Sequence, residues 1–142
     1  MGSTYVGDEV AVFYVDGEGG DDSHSDTQAK TLGTAWQTID QAFTRIASSD
    51  AGSPTDGDEI RIVATSNDRS YYSVTTIDEM DWSSKEISIT GANDSGVVDG
   101  TRPTIHGVDL GSGENSIWEI NVGTADQMTI SNLIFDGGDA TN

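Results

Sequence analysis

The segments Lys85-Glu86-Ile87-Ser88-Ile89-Thr90-Gly91 and Gln127-Met128-Thr129-Ile130-Ser131-Asn132-Leu133-Ile134-Phe135 are two variants of one unit. In each, a polar turn leads into an apolar–polar–apolar strand with the period-2 alternation of a half-buried sheet, and Ile89 corresponds to Ile130. Ile60-Arg61-Ile62 is a third, weaker copy. The steps from Ile62 to Ile89 and from Ile89 to Ile130 are 27 and 41 residues, so the copies fit an irregular coil with loop insertions and not a strict repeat. Hairpin chemistry is missing: there is no Asn-Gly, and the Asp-Gly pairs are not flanked symmetrically by alternating strands. Strands that wrap, and do not fold back, imply a solenoid over a sandwich.

Working outward, Val10-Ala11-Val12-Phe13-Tyr14-Val15 reads as a strand stopped at Asp16-Gly17, and a polar loop without hydrophobic periodicity runs from Glu18 to about Gly33. Trp36, Ile39, Phe43 and Ile46 then recur at intervals of three and four, with polar Gln37, Asp40, Gln41, Thr44 and Arg45 opposite. This spacing predicts one amphipathic helix over about 35–48, its apolar side inward and covering the open edge of the first coil. Beyond Gly57 the pattern is β. Short strands are expected at Glu59–Ala64, Tyr71–Ile77, Glu86–Thr90, Gly96–Val98, Thr104–Ile105, Ser116–Val122 and Met128–Phe135. The expected fold is an all-β, short right-handed parallel solenoid of about three coils with one N-terminal capping α-helix. A single domain spans 1–142, with the cap at about 1–56 and the coils at about 57–142.

The composition narrows the chemistry. Six basic residues stand against 25 acidic ones, a net charge of −19 in 142 residues. Nucleic acid is not an expected partner, because phosphate binding needs clustered Lys and Arg, and an anionic membrane surface is disfavoured for the same reason. The absence of cysteine removes disulfides, thiolate metal sites and a Cys nucleophile. No apolar run approaches the roughly 18 residues of a membrane span, and Met1-Gly2-Ser3-Thr4 has no basic or apolar leader character, so no signal peptide is expected in this chain. Eighteen of the acids are Asp and seven are Glu, which suits turns and caps better than helices. Adaptation to high salt, calcium binding and a plain solvated surface are the competing readings of this acidity, and the plain surface is the simplest.

Tyr14-Val15-Asp16, Gly20-Asp21-Asp22, Trp36-Gln37-Thr38-Ile39-Asp40-Gln41-Ala42 and Gly57-Asp58-Glu59-Ile60 resemble, in this order, the N-terminal cap and first coils of the right-handed parallel β-helix (pectate lyase-like) superfamily. Ile87-Ser88-Ile89-Thr90-Gly91 and Val97-Val98-Asp99-Gly100 resemble its coil signature, and the likeness extends over roughly 12–138. The resemblance implies an extracellular or cell-surface setting, but this cap and coil precede many activities.

Lyases of that superfamily use calcium held by Asp and a nearby Arg or Lys as base, which makes Arg61, facing outward between Ile60 and Ile62, the candidate catalytic residue; a solvated strand residue is the simpler reading. Lys30 and Arg45 lie in the cap and Lys85 at a turn. The hydrolases need carboxylates converging on one groove, whereas Asp21-Asp22 lies in the cap loop. His106 before Gly107, and His24 in the acidic loop, are weaker still. Calcium is the one ion worth carrying, at Asp16, Asp21, Asp22 and Asp26 or at Asp136 and Asp139 around Gly137-Gly138, although neither cluster has EF-hand spacing. Met128, Ile130, Leu133, Ile134 and Phe135 form an apolar final strand with no comparable cap after it, which predicts a homo-oligomer through that end. The expected function is a non-catalytic module of a surface or secreted protein, structural, adhesive or carbohydrate-binding. The alternative is the N-terminal part of a calcium-dependent polysaccharide lyase or of a polysaccharide hydrolase.

Overall fold

Alternation of Val12 and Tyr14 with Phe13 and Val15 makes β1 (Val12–Val15), whose second and fourth side chains are fully buried. The computed structural model describes residues 9–64, 72–73, 77–81, 85–106, 118–121 and 128–136. After β1 come α1 (Asp26–Ala29), a 3-10 turn (Leu32–Thr34), α2 (Ile39–Ala47), β2 (Glu59–Val63), β3 (Tyr72–Ser73), β4 (Ile77–Asp81), β5 (Ile87–Ala92), β6 (Thr104–His106), β7 (Trp118–Asn121), β8 (Met128–Ser131) and β9 (Ile134–Asp136). The strands form three sheets, ordered β1-β2-β5-β8, β3-β6-β9 and β4-β7, and every pairing within them is parallel.

Register in the largest sheet places Phe13, Ile60, Ile89 and Ile130 opposite one another, with Val15 opposite Ile62 beside them. Side chains alternate across a strand, so the polar face carries two further rows: Tyr14, Arg61, Thr90 and Ser131, and Val12, Glu59, Ser88 and Thr129. Ile60, and not Ile62, is the true counterpart of Ile89; Ile62 lies opposite Gly91. The two-residue slip keeps each side chain on its face, which is why the sequence pattern alone does not detect it. Gly91 is required by close approach: a Cβ there would lie 1.9 Å from the Asn132 carbonyl oxygen and 2.6 Å from Pro103 Cδ.

One core joins the cap to this sheet. Phe13, Trp36, Phe43, Ile46, Ile60, Ile62 and Ile89 are fully buried in a single cluster with Ile39, Ala42, Ile87 and Ile105. Phe13 and Trp36 stack with ring centroids 5.4 Å apart and planes within 6°. The Trp36 indole N–H donates to the His24 carbonyl at 3.0 Å, which satisfies its one polar group inside the core.

The expectation of an all-β solenoid with one capping helix is corrected: the protein is mixed α and β, and the described residues hold two α-helices and three short parallel sheets and trace no continuous solenoid. The second helix, α1, lies inside the stretch read as a structureless loop. Four residues cannot display a 3.6-residue period, and the signal that starts this helix is a capping box. Gln28 N–H donates to the Ser25 hydroxyl, and the Ser25 N–H donates to the Gln28 side-chain oxygen. The longer helix starts later than the periodicity indicates. Thr38 is its N-cap, accepting from Gln41 N–H at 3.1 Å, so Trp36 lies before the helix. Trp36 is held instead by a parallel bridge to Val15, with Trp36 N–H donating to Tyr14 O and Asp16 N–H to Trp36 O.

Other differences are local. Gly96–Val98 carries no strand but leaves the turn at 94–95, because the Asn93 side chain accepts from the Ser95 and Val97 N–H groups and Gly96 takes φ +73°. The final expected strand is broken into β8 and β9 at Asn132, whose φ of +53° is left-handed. Glu59–Ala64, Glu86–Thr90 and Thr104–Ile105 carry strands with bounds moved by one or two residues, and the described parts of Tyr71–Ile77 and Ser116–Val122 do as well.

Candidate functional site

A cavity of about 280 Å³ opens beside the start of α1, lined by the 22–26 segment together with Gln41 and Arg45. Its walls are set by structural bonds. Asp22 Oδ1 accepts from the Gln37 and Thr38 N–H groups, both at 2.9 Å, and Asp22 Oδ2 accepts from the Thr38 hydroxyl at 2.7 Å. One carboxylate thus ties the acidic loop to the N-terminus of α2, where it also meets the positive end of the helix dipole. Asp26 and Arg45 form a bidentate pair, Nε to Oδ1 and Nη2 to Oδ2, both at 2.7 Å. Arg45 Nη2 reaches Asp50 as well, at 3.1 Å. The Asp26 carboxylate, followed by that of Asp50, raises the Arg45 pKa above its usual value despite partial burial. His24 Nδ1 lies 2.9 Å from the Ala35 carbonyl, and a carbonyl can only accept, so Nδ1 carries the hydrogen and a neutral ring leaves Nε2 as an acceptor.

The carboxylates the sequence singles out for calcium are separately engaged. Asp16 Oδ1 accepts from the Glu18 and Gly19 N–H groups. Asp21 accepts from Ser23 N–H at 2.8 Å, and its bonds to the Ser23 side chain and backbone lower its pKa. Asp22 and Asp26 are bonded as above. Among the described residues, no three His, Asp or Glu side chains converge in a group that would hold a metal ion. Asp136 ends β9, and Asp139 lies outside the described residues.

Arg61 occupies the polar face of the large sheet, as its alternation with Ile60 and Ile62 implies. Its Nε donates to Glu59 at 2.9 Å and its Nη1 to the Gly96 carbonyl at 2.9 Å, and the Glu59 bond raises its pKa further. The same turn presses on Tyr14, since a Cβ on Gly96 would lie 2.8 Å from Tyr14 Cε1. Arg61 therefore clamps the 93–97 turn onto the sheet. Further along this face the Ser131 hydroxyl donates to the Thr90 hydroxyl at 2.9 Å.

Three residues have structural roles that type and spacing do not give them. Asp58 is 5% exposed and accepts from Ala11 N–H and Thr55 N–H, both at 2.8 Å. Lys85, read as a turn residue, donates its ammonium to the Ile46 and Ser48 carbonyls at 2.5 and 2.6 Å and caps the end of α2; burial lowers its pKa. Gln41 reads as one more polar residue on the outer side of the helix, yet it lines the cavity. Only Asp58 carries a local signal, the Thr55-x-x-Asp58 turn spacing.

Comparison with protein-family models, with curated proteins and with solved structures gives no match. What the fold and the site define is a class: a mixed α and β chain whose described strands pair in parallel, with a polar cavity beside α1 and α2. The likeness to the pectate lyase-like superfamily rests on its motifs alone. No helix among the described residues is long and apolar enough to cross a membrane.

Proposed function

We propose that this chain is a non-catalytic module of a surface or secreted protein, structural or adhesive in role, that engages carbohydrate. The observation that carries this reading is how the charged side chains are used. Arg61, Asp22, Asp26, Arg45, Asp58 and Lys85 hold loops, helix ends and strand starts together. Beside these engaged charges, Ser88, Thr129 and Ser131 on the polar face of the sheet and Gln41 at the cavity supply hydroxyl and amide groups. Groups of this kind suit hydroxyl-rich ligands, which both donate and accept. The test is a binding screen against neutral and acidic polysaccharides, with and without calcium, run beside an assay for unsaturated or reducing-end products. Retention without product is expected. Cleavage of a pectin-like polymer by this chain would replace the reading with the lyase or hydrolase one.

Self-association through Met128, Ile130, Leu133, Ile134 and Phe135 belongs to the same proposal. Ile130 and Phe135 are 37% and 46% exposed, while Ile89 and Ile105, their partners one strand in, are fully buried. β8 and β9 are each the last strand of their sheet among the described residues, and an edge of this kind is a template for pairing. At −19 per chain, copies repel, and salt screens that repulsion. Size exclusion with light scattering should show an assembly that grows with salt. A monomer at both low and high salt would remove this part of the proposal.

A further inference from the structure

The cavity in the cap contains groups that its structural bonds leave unused, and their chemistry defines a ligand. The Gln41 side-chain amide has no hydrogen-bond partner among the described residues; Gln41 bonds to Thr38 through its backbone N–H. With Nδ1 committed to the Ala35 carbonyl, Nε2 is the ring nitrogen of His24 left for a ligand, as an acceptor in the neutral ring. Arg45 uses Nε and Nη2 on carboxylates, which leaves the two hydrogens of Nη1. Each Asp26 oxygen takes one donor, and Asp22 Oδ2 takes one, so each keeps lone-pair capacity. Donors and acceptors thus line one small space, whose shape is held by bonds elsewhere in the same side chains.

Charge selects among hydroxyl ligands. Two carboxylates against one guanidinium leave the lining net negative with His24 neutral, and the chain as a whole carries −19. An anionic sugar such as a uronate meets repulsion there, while a neutral sugar does not. About 280 Å³ lies near the lower limit of small-molecule pockets, roughly 300 Å³, which suits one ring and not several. Resting on the carbohydrate reading given above, we infer that the cavity lined by His24, Asp26, Gln41 and Arg45 is a binding site for a single neutral sugar unit, at the end or along the side of a glycan. Sugar hydroxyls donate to Asp26 and His24 Nε2 and accept from the Gln41 amide and Arg45 Nη1.

The probes are neutral hexose oligosaccharides and oligogalacturonate, titrated into the full chain while amide and side-chain NMR resonances are followed. Neutral probes should shift the Gln41 side-chain amide and the His24 ring, with oligogalacturonate at least ten-fold weaker. Gln41→Ala removes a side chain that carries no structural bond, so it should keep the wild-type melting temperature and weaken neutral binding ten-fold or more. Gln41→Glu should weaken it too, by replacing the amide donor with a charge. Binding by wild type that both variants retain in full would overturn this site and leave the carbohydrate module standing elsewhere on the surface. Tighter binding of oligogalacturonate would overturn the neutral-sugar assignment. No binding of either probe class by wild type would overturn the site and the carbohydrate reading together.

Discussion

Removing the Asp58 carboxylate should loosen the first strand from the second. Asp58 is 5% exposed; one oxygen accepts from Ala11 N–H at 2.8 Å, the other from Thr55 N–H at 2.8 Å and the Thr55 hydroxyl at 3.3 Å. The residue thus ties the backbone just before β1 to the start of β2, forty-seven positions away from Ala11. Asp58→Ala deletes both anchors and leaves two backbone donors behind. Thr55 is exposed and recovers water, so its loss is small, whereas Ala11 is half-buried. An unpaired buried donor costs about 1–3 kcal/mol, and bonds to a carboxylate lie toward the upper part of that range. The expected loss is about 2–4 kcal/mol, a large share of the roughly 5–15 kcal/mol that holds an ordinary domain together. Asp58→Asn keeps one acceptor and should lose about half as much. Urea unfolding, followed by circular dichroism and tryptophan fluorescence, reads this as a lower midpoint at unchanged slope. If Asp58→Ala unfolds within about 0.5 kcal/mol of wild type, the carboxylate is not the tie described, and the β1–β2 ladder and core alone hold that corner.

Phe43→Ala empties a fully buried position in the cluster shared by α2 and the large sheet. It should cost about 3–5 kcal/mol in the same urea experiment; an unmoved midpoint would mean that α2 does not support the core. Gly91→Ala places a methyl 1.9 Å from the Asn132 carbonyl oxygen, so the corner between β8 and β9 must move. A loss of about 3 kcal/mol, with faster hydrogen exchange at Ser131 and Ile134, is expected, and wild-type exchange would contradict it. The Asp99 carboxyl is held at about 2 by its bonds to the Thr101 side chain and backbone, and bonds to Ser48 and Arg45 lower Asp50. A folded value below the unfolded one gives stability that is present above pH about 4 and is lost as pH falls toward 2. Melting temperatures should drop across that window, less steeply for Asp99→Asn; superimposed curves would rule out the contribution.

Long periodic signals were legible in the sequence, and short or long-range ones were not. The alternation at Ile60–Ile62, Ile87–Ile89 and Met128–Ile130 locates three strands of one parallel sheet, and the Ile89–Ile130 correspondence is their actual register. The period of Ile39, Phe43 and Ile46 locates α2. The fold class was misjudged because α1 is too short to be periodic and announces itself through Ser25 and Gln28 alone. Trp36 fits the helical period by coincidence of spacing, and Thr38 with the Asp22 carboxylate decides otherwise. The site was the least legible part. The acids of the 16–26 loop stand out by composition, but partners such as Gln37, Thr38 and Arg45 lie up to nineteen positions away, and only folding shows which carboxylates they occupy.

The parallel register has a practical side. Phe13, Ile60, Ile89 and Ile130 stand in one row although 47, 29 and 41 residues separate successive members. Connections of quite different length therefore deliver their strands to equivalent places, and loop length is largely decoupled from alignment. Gly100 lies in one such connection: it is exposed, has φ +96°, and has no neighbour within 4 Å of where a Cβ would stand. A foreign peptide grafted there would hang from the rim without competing for the ladder, which makes this small acidic chain a natural carrier for inserted epitopes or tags.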